Sequence, residues 1–205
     1  MNTVNYAKEL GRLLDRLGAA GETPRLLLHS CCGPCSSSVL ETLASHFAVT
    51  LFYDNPNIHP EEEYRHRLAE QQRLLTLISP KYPVAFREGE YRPERFFGAV
   101  RGLEAEPEGG ARCPVCFELR LRAAAELAKR EGFDYFTTTL SVSPHKDAAR
   151  LNEIGGALAE ELGVKYLFAD FKKKDGYLRS IRLAEQYGLY RQDYCGCVYS
   201  KRDPE

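Results

Sequence analysis

Seven cysteines carry most of the chemical potential of this chain, and they are not scattered. They fall as Cys31/Cys32/Cys35, Cys113/Cys116 and Cys195/Cys197, so every thiol has another within three positions. Thiolates bind zinc, iron and iron–sulfur clusters, and they also act as redox nucleophiles. A lone C-x-x-C fits a redox pair, a zinc half-site or chance, whereas three separate groups point to metal. Structural zinc takes four ligands, usually from two C-x-x-C knuckles close in sequence. A C-C-x-x-C, a C-x-x-C and a C-x-C suit clusters better than a zinc ribbon. A 4Fe-4S cluster takes four thiolates. The remaining three could hold a second metal with an open position, the mark of a catalytic site. One cluster with spare redox thiols is the other division. Adjacent Cys31 and Cys32 are expected to point apart and serve different centres, and Cys195 and Cys197 to be split likewise. Cys113 and Cys116 have the spacing to share one centre, but spacing does not say which sulfur goes where.

These thiols need elements that bring them together. Leu26–Leu28 reads as a buried strand that ends abruptly in the first cysteines. Gly33 and Pro34 predict a tight turn, and Ser36–Ser38 a cap for the following helix. In open α/β sheets, sites lie outside the carboxyl ends of strands, at such turns. Core burial of Cys31 and Cys32 is the competing reading, but two neighbours on a turn do not easily enter one core.

The remaining pattern alternates. A helix is expected over 2–18, stopped by Gly18, then strands over 25–29, 48–53, 84–87, 133–140 and 165–168. Helices are expected after the first cysteine turn, over about 61–78, from Pro93, up to about 130, over 148–162 and over 177–187. Cys116 would lie in a first helical turn, where N–H groups favour thiolate. Gly155–Gly156 inside a helix predicts close packing against a neighbour. Asp54–Pro60 reads as an extended polar connector, either a plain loop or a wall of the same pocket. This alternation is that of an α/β fold, a parallel sheet with helices on both faces. Loops at 31–35, 54–60 and 141–147 would share one sheet edge, with the other cysteines folded over it. We expect one α/β domain over 1–205, with an N-terminal helix within 1–22 and a core over 24–200.

The 205 residues suffice for one such domain. A formal net charge of −1 gives no global field for nucleic acid or membrane. No apolar run reaches the roughly 18 residues of a membrane span. Met1–Leu17 is amphipathic and carries acids, unlike a signal or transit peptide. A cytoplasmic protein without disulfides is expected.

Taken in order, Cys31–Cys32–Gly33–Pro34–Cys35, Asn55–Pro56–Asn57–Ile58, Cys113-x-x-Cys116, Thr137–Thr138–Thr139–Leu140 with Ser143–Pro144, and Tyr190–Arg191–Gln192–Asp193–Tyr194–Cys195–Gly196–Cys197 resemble the epoxyqueuosine reductase QueH family. The resemblance covers nearly the whole chain from about residue 24. It implies a HUP-like α/β fold, with metal-binding loops over the carboxyl edge of the sheet. It also implies a 4Fe-4S cluster beside a second mononuclear metal, read as iron. The implied activity is cobalamin-independent deoxygenation of epoxyqueuosine in tRNA anticodons to queuosine, the last step of queuosine biosynthesis. Position 35, occupied by Asp in some members, becomes a candidate ligand of the second metal. His59–Pro60 and His145 depart from the commoner family pattern.

On that resemblance, Cys32, Cys113, Cys116 and Cys197 are assigned to the cluster, and Cys31, Cys35 and Cys195 to the second metal. Asp193 and Tyr194 are the candidate proton donors or positioning groups. Asn55, Asn57 and His145 are candidate substrate contacts. Asp193 also reads as a turn residue, and His145 as a helix-start residue. Lys172–Lys174, Arg179, Arg182 and Arg191 form a basic region, either a solvated face or a phosphate contact for tRNA. The expected partners are that tRNA and a ferredoxin- or flavodoxin-type electron donor, with neither membrane nor DNA. An ATP-dependent tRNA thiolase on the same fold would need a phosphate loop after the first strand, where cysteines stand instead. A non-catalytic metal-binding module is the other alternative.

Overall fold

The architecture follows from a first strand that is apolar on both faces. A computed structural model describes residues 4–201. In β1 (Arg25–His29), Leu26, Leu27 and Leu28 are all fully buried. Successive strand side chains point to opposite faces, so such a strand must lie mid-sheet between two helical layers. β1 pairs in parallel with β2 (Ala48–Tyr53) on one side and β4 (Tyr135–Thr138) on the other. β3 (Ala85–Glu88) and β5 (Lys165–Tyr166) complete an all-parallel sheet in the order β3-β2-β1-β4-β5. This is the α/β fold expected, with the strand order reversing beside β1.

Leu26 and Leu28 join Val39, Leu40 and Leu43 of α2 (Gly33–Leu43), with Leu10 and Leu17 of α1 (Tyr6–Ala20) and Ala184 of α7 (Gly176–Gln186). Leu27 faces the other way. It joins Phe117, Leu121 and Ala125 of α5 (Arg112–Glu131), with Leu151 and Leu158 of α6 (Ala148–Leu162). Tyr64 and Leu68 of α3 (Glu61–Leu77) pack with Tyr53 of β2, and Phe96 of α4 (Pro93–Ala99) clusters with Cys116 of α5.

Several boundaries differ from expectation. α1 begins at Tyr6, where the Asn5 side chain accepts from Lys8 N, and runs through Gly18 to a left-handed Gly21. The expected residues 2 and 3 lie outside the described residues. Helix α2 starts directly at Gly33, so the serines sit inside it instead of capping it. Their hydroxyls turn inward, Ser36 to Cys32 O and Ser37 to Pro34 O. The fourth strand stops at Thr138, because its side chain accepts from Leu140 N and turns Thr139–Val142 into a 3-10 helix. The fifth strand is reduced to Lys165–Tyr166 at the sheet edge, after which Leu167 N still reaches Phe136 O.

The glycine pair in α6 packs as its sequence implies. A Cβ on Gly155 would lie 2.4 Å from the Tyr166 ring, and Tyr166 is itself locked edge-on against Phe136. Gly155→Ala is therefore expected to destabilise the fold by about 1–3 kcal/mol through overpacking. A lower urea midpoint with an unchanged m-value checks this.

Candidate metal centre

Three strand ends meet at one buried imidazole. His29 closes β1, with Nδ1 2.9 Å from Thr138 Oγ1 at the end of β4 and Nε2 3.2 Å from Asp54 O just beyond β2. With its proton assigned to Nε2, His29 donates to that carbonyl and accepts from the threonine hydroxyl. Burial, assisted by the Arg120 charge, pushes its pKa down to about 3, so the ring is neutral. The carboxyl edge of the sheet is thereby fixed, and the chain leaves it directly into Cys31 and Cys32.

The Sγ atoms of Cys31, Cys32 and Cys35 all lie within 4.8 Å of one another. The expectation that Cys31 and Cys32 point apart is corrected: their sulfurs are 3.8 Å apart. Opposed neighbours belong to a continuing strand. Here the strand has already ended, the chain bends at Cys31, and extended Cys32 passes straight into α2. Hydrogen bonds from the Cys32 and Cys35 thiols hold Cys31 well below the usual thiol range, with Arg120 adding to the effect. Donating to Cys31 pushes Cys32 up to about 12, and Cys35 is raised for the same reason.

The other four thiols arrive from α5 and the C-terminal segment. Cys113 lies near the start of α5, with its sulfur accepting from Gly109 N at 3.1 Å. Cys116 is one turn further, facing inward. It does not enjoy the expected thiolate-favouring helix start: burial pushes it up to about 11, against the pull of Arg120. Cys116 and Cys197 share an apolar cluster with Phe96 and Val100. Cys195 lies close enough to influence both of them electrostatically.

Cations that sequence reasoning missed hold this assembly. Arg67, Arg112 and Arg120 are each 1% exposed, among the largest fully buried side chains. Arg120 lies one helical turn after Cys116. It donates to Asn55 Oδ1 at 2.8 Å and reaches Cys116 Sγ at 3.9 Å. Arg67 pairs with Glu63 at 2.6 Å and donates to the carbonyls of Cys195 and Tyr194 at 3.2 and 3.3 Å. Arg112 donates to the carbonyls of Leu103, Glu104 and Glu106, and its guanidinium lies over the Tyr199 ring. Lys146 pairs with Glu108 and lies beside Cys195; burial works against its charge, but Cys195 and Glu108 outweigh it. Arginines on the inward face of a helix, as at Cys116–Arg120, were the available signal, because isolated charges are seldom buried.

A cavity of about 370 Å³ opens onto this edge. Cys31, Cys35, Arg120 and Cys195 line it, with His145 and Lys146 from the β4–α6 loop and Arg191–Tyr194 from the C-terminal segment. Asp193 and His145 are exposed at its rim. Tyr194 also contributes to the wall, but its hydroxyl donates to His59 O at 3.2 Å. Asn55 and Asn57 are not in the lining. Asn55 is spent internally, between Ser30 O and Arg120, both at 2.8 Å. The basic region divides: Lys172 donates to Lys146 O and Arg179 pairs with Glu41, while Arg191 is exposed on the cavity wall.

The donor set fits soft metal. Three thiols converge without a disulfide, and buried cations offset the charge that thiolates would bring. No helix among the described residues is long and apolar enough to cross a membrane.

Comparison with known proteins gives the same picture along the chain. The family model described as "Epoxyqueuosine reductase QueH" matches residues 26–203. A protein of that name from Staphylococcus epidermidis is 42% identical over 201 residues, covering 96% of this chain and 84% of its own length. One from Streptococcus pyogenes serotype M1 is 41% identical, covering 97% and 79%. One from Thermotoga maritima is 34% identical over 178 residues, covering 85% and 89%.

Arg67 is the pin that holds the C-terminal cysteines. Arg67→Met keeps the packing volume but leaves Glu63, whose side chain is 13% exposed, without its cation and with only the Tyr190 hydroxyl as partner. A loss of about 3 kcal/mol is expected, together with a lower uptake of any thiol-bound metal. Urea unfolding and metal analysis check the two effects separately.

Proposed function

The chain belongs to the epoxyqueuosine reductase QueH family, whose members are oxidoreductases, and on that premise we propose that it deoxygenates epoxyqueuosine in tRNA to queuosine at the cysteine-lined cavity. The observation that carries this reading is the placing of the Cys31/Cys32/Cys35 sulfurs, within 4.8 Å of one another, where Cys31 and Cys35 line a cavity at the carboxyl edge. Conversion of an epoxide to an alkene consumes two electrons and two protons and releases water. A 4Fe-4S cluster beside an open-sided iron supplies one-electron steps and a Lewis acid for the oxygen.

We assign Cys113, Cys116, Cys195 and Cys197 to the cluster and Cys31, Cys32 and Cys35 to the second metal. This division is an alternative to the one drawn from the sequence, and keeps the converging sulfurs of Cys31, Cys32 and Cys35 together. Arg120 lies between the two sets and balances their negative charge. Lys146, held by Glu108, does the same beside Cys195. Asp193, exposed on the cavity wall, is placed to relay a proton from solvent. Tyr194 positions the loop through His59 O and is the less available donor. His145 at the rim is placed to meet the nucleotide. A ferredoxin- or flavodoxin-type protein suits electron delivery in single steps, and a cytoplasmic location suits a tRNA substrate.

The reading is tested by measuring iron and sulfide after anaerobic purification, with mass analysis of tRNA from cells lacking the gene. Accumulated epoxyqueuosine is expected, and unchanged queuosine would refute the assignment. The tRNA contact has its own test. Arg191→Ala should weaken tRNA binding and flatten its salt slope by roughly 0.7–0.9, the share of one phosphate contact. Lys172→Ala should act on thermal stability instead, because its amine is tied to Lys146 O.

A further inference from the structure

Lys146 keeps a charged amine in the cavity wall with one N–H to spare. It lines the same space as Cys31 and Cys35, yet its side chain is only 6% exposed. An ammonium brings three donors and no acceptor. Nζ donates one to Glu108 Oε1 and directs a second at the Cys195 sulfur. The third has no partner among the described residues. Burying a lysine is costly, and Glu108, itself 33% exposed, offsets that cost only in part.

The chain fixes this amine in place. Lys146 N donates to Ser143 O at 3.2 Å, and Lys146 O accepts from Lys172 Nζ at 2.7 Å. Asp147, the next residue, caps α6 by accepting from Ala149 N and Arg150 N at 2.9 and 3.1 Å. The loop carrying Glu108 is held too, since Arg112 donates to the carbonyls of Leu103, Glu104 and Glu106. Several other donors on the wall are spent. The Ser180 and Ser200 hydroxyls donate to Tyr177 O and Cys197 O, Tyr194 to His59 O and Arg120 to Asn55 Oδ1.

We infer that Lys146 is a catalytic residue: its free N–H donates a hydrogen bond to the epoxide oxygen of the substrate. The inference rests on the reductase reading and is independent of how the thiols divide among metals. An epoxide oxygen accepts and cannot donate, so it suits an ammonium and not a carboxylate. Both C–O bonds break in the reaction. Two electrons arrive one at a time from the ferredoxin- or flavodoxin-type donor, and the oxygen leaves as water with two protons drawn from solvent. Negative charge builds on that oxygen as the bonds break, and a fixed, largely buried cation stabilises it most at that stage. Lys146 stays an ammonium throughout; it supplies charge and not a proton.

The test uses the full chain, purified anaerobically, with two tRNAs that differ only in the oxygen: one carries epoxyqueuosine, the other queuosine. Binding is measured without reductant, so nothing turns over. The original protein is expected to bind the epoxide form roughly ten-fold more tightly, the worth of one charge-assisted hydrogen bond. In Lys146→Met that preference should vanish, through weaker binding of the epoxide form alone. Single-turnover reduction at saturating tRNA should slow by about 10²-fold. Equal losses for both tRNAs, as a purely structural tie to Glu108 predicts, overturn the inference. If Lys146→Met does not fold, Lys146→Arg decides, because it keeps the charge but displaces the nitrogens: an altered preference supports the assignment, and an unchanged one overturns it. An original protein that leaves epoxyqueuosine unreduced overturns the reductase reading and this assignment together. A protein that reduces it yet shows no preference, or keeps the preference without the amine, overturns this assignment alone.

Discussion

Buried positive charge beside sulfur is the constraint on which the site depends. Arg120 has no carboxylate partner among the described ion pairs; its contacts are the neutral Asn55 amide and the Cys116 sulfur. A guanidinium cannot shed its proton, so burial leaves it a charge seeking compensation. Thiolates would supply that compensation, and a bound metal would keep them ionised at neutral pH. Cation and sulfur thus stabilise each other in a place where either alone would be costly. Arg67 and Lys146 repeat the arrangement with a carboxylate as second partner, and Arg112 with backbone carbonyls.

The same cations do mechanical work. Arg67 ties α3 to the backbone at Tyr194 and Cys195, and Arg112 ties the 103–106 loop and reaches Tyr199 O. Segments far apart in sequence are brought to one edge by side chains long enough to span the gap. A rigid sheet makes this possible. β1 is packed on both faces, and His29 locks three strand ends before the first cysteine is reached. The thiols of the first group are therefore presented from a fixed platform, while Cys113 and Cys116 come from α5 and Cys195 and Cys197 from a C-terminal segment held by Arg67.

The cavity inherits this asymmetry. Its floor is sulfur and buried arginine, and its rim is exposed and polar, with His145, Arg191 and Asp193. A floor of sulfur and buried cations beneath an exposed polar rim is the division that the proposed reaction needs.

Much of this was legible in the residues themselves. Alternating apolar runs gave the parallel sheet, because strand and helix periods are local properties. The grouping of cysteines pointed to a candidate metal centre, and the structure brings Cys31, Cys32 and Cys35 together as a set that could hold one. Gly155–Gly156 announced a close approach that Tyr166 fills. The direction of each sulfur, however, was decided only by the tertiary structure. Cys31 and Cys32 converge because β1 stops short and the chain bends before α2, a geometry set by the strands on either side. The cations around the thiols were hidden for a similar reason. Arg67, Arg112 and Arg120 read as surface residues in sequence, since arginine usually is. They become interior only when helices α3 and α5 close over the C-terminal segment, and burial is a property of the whole fold.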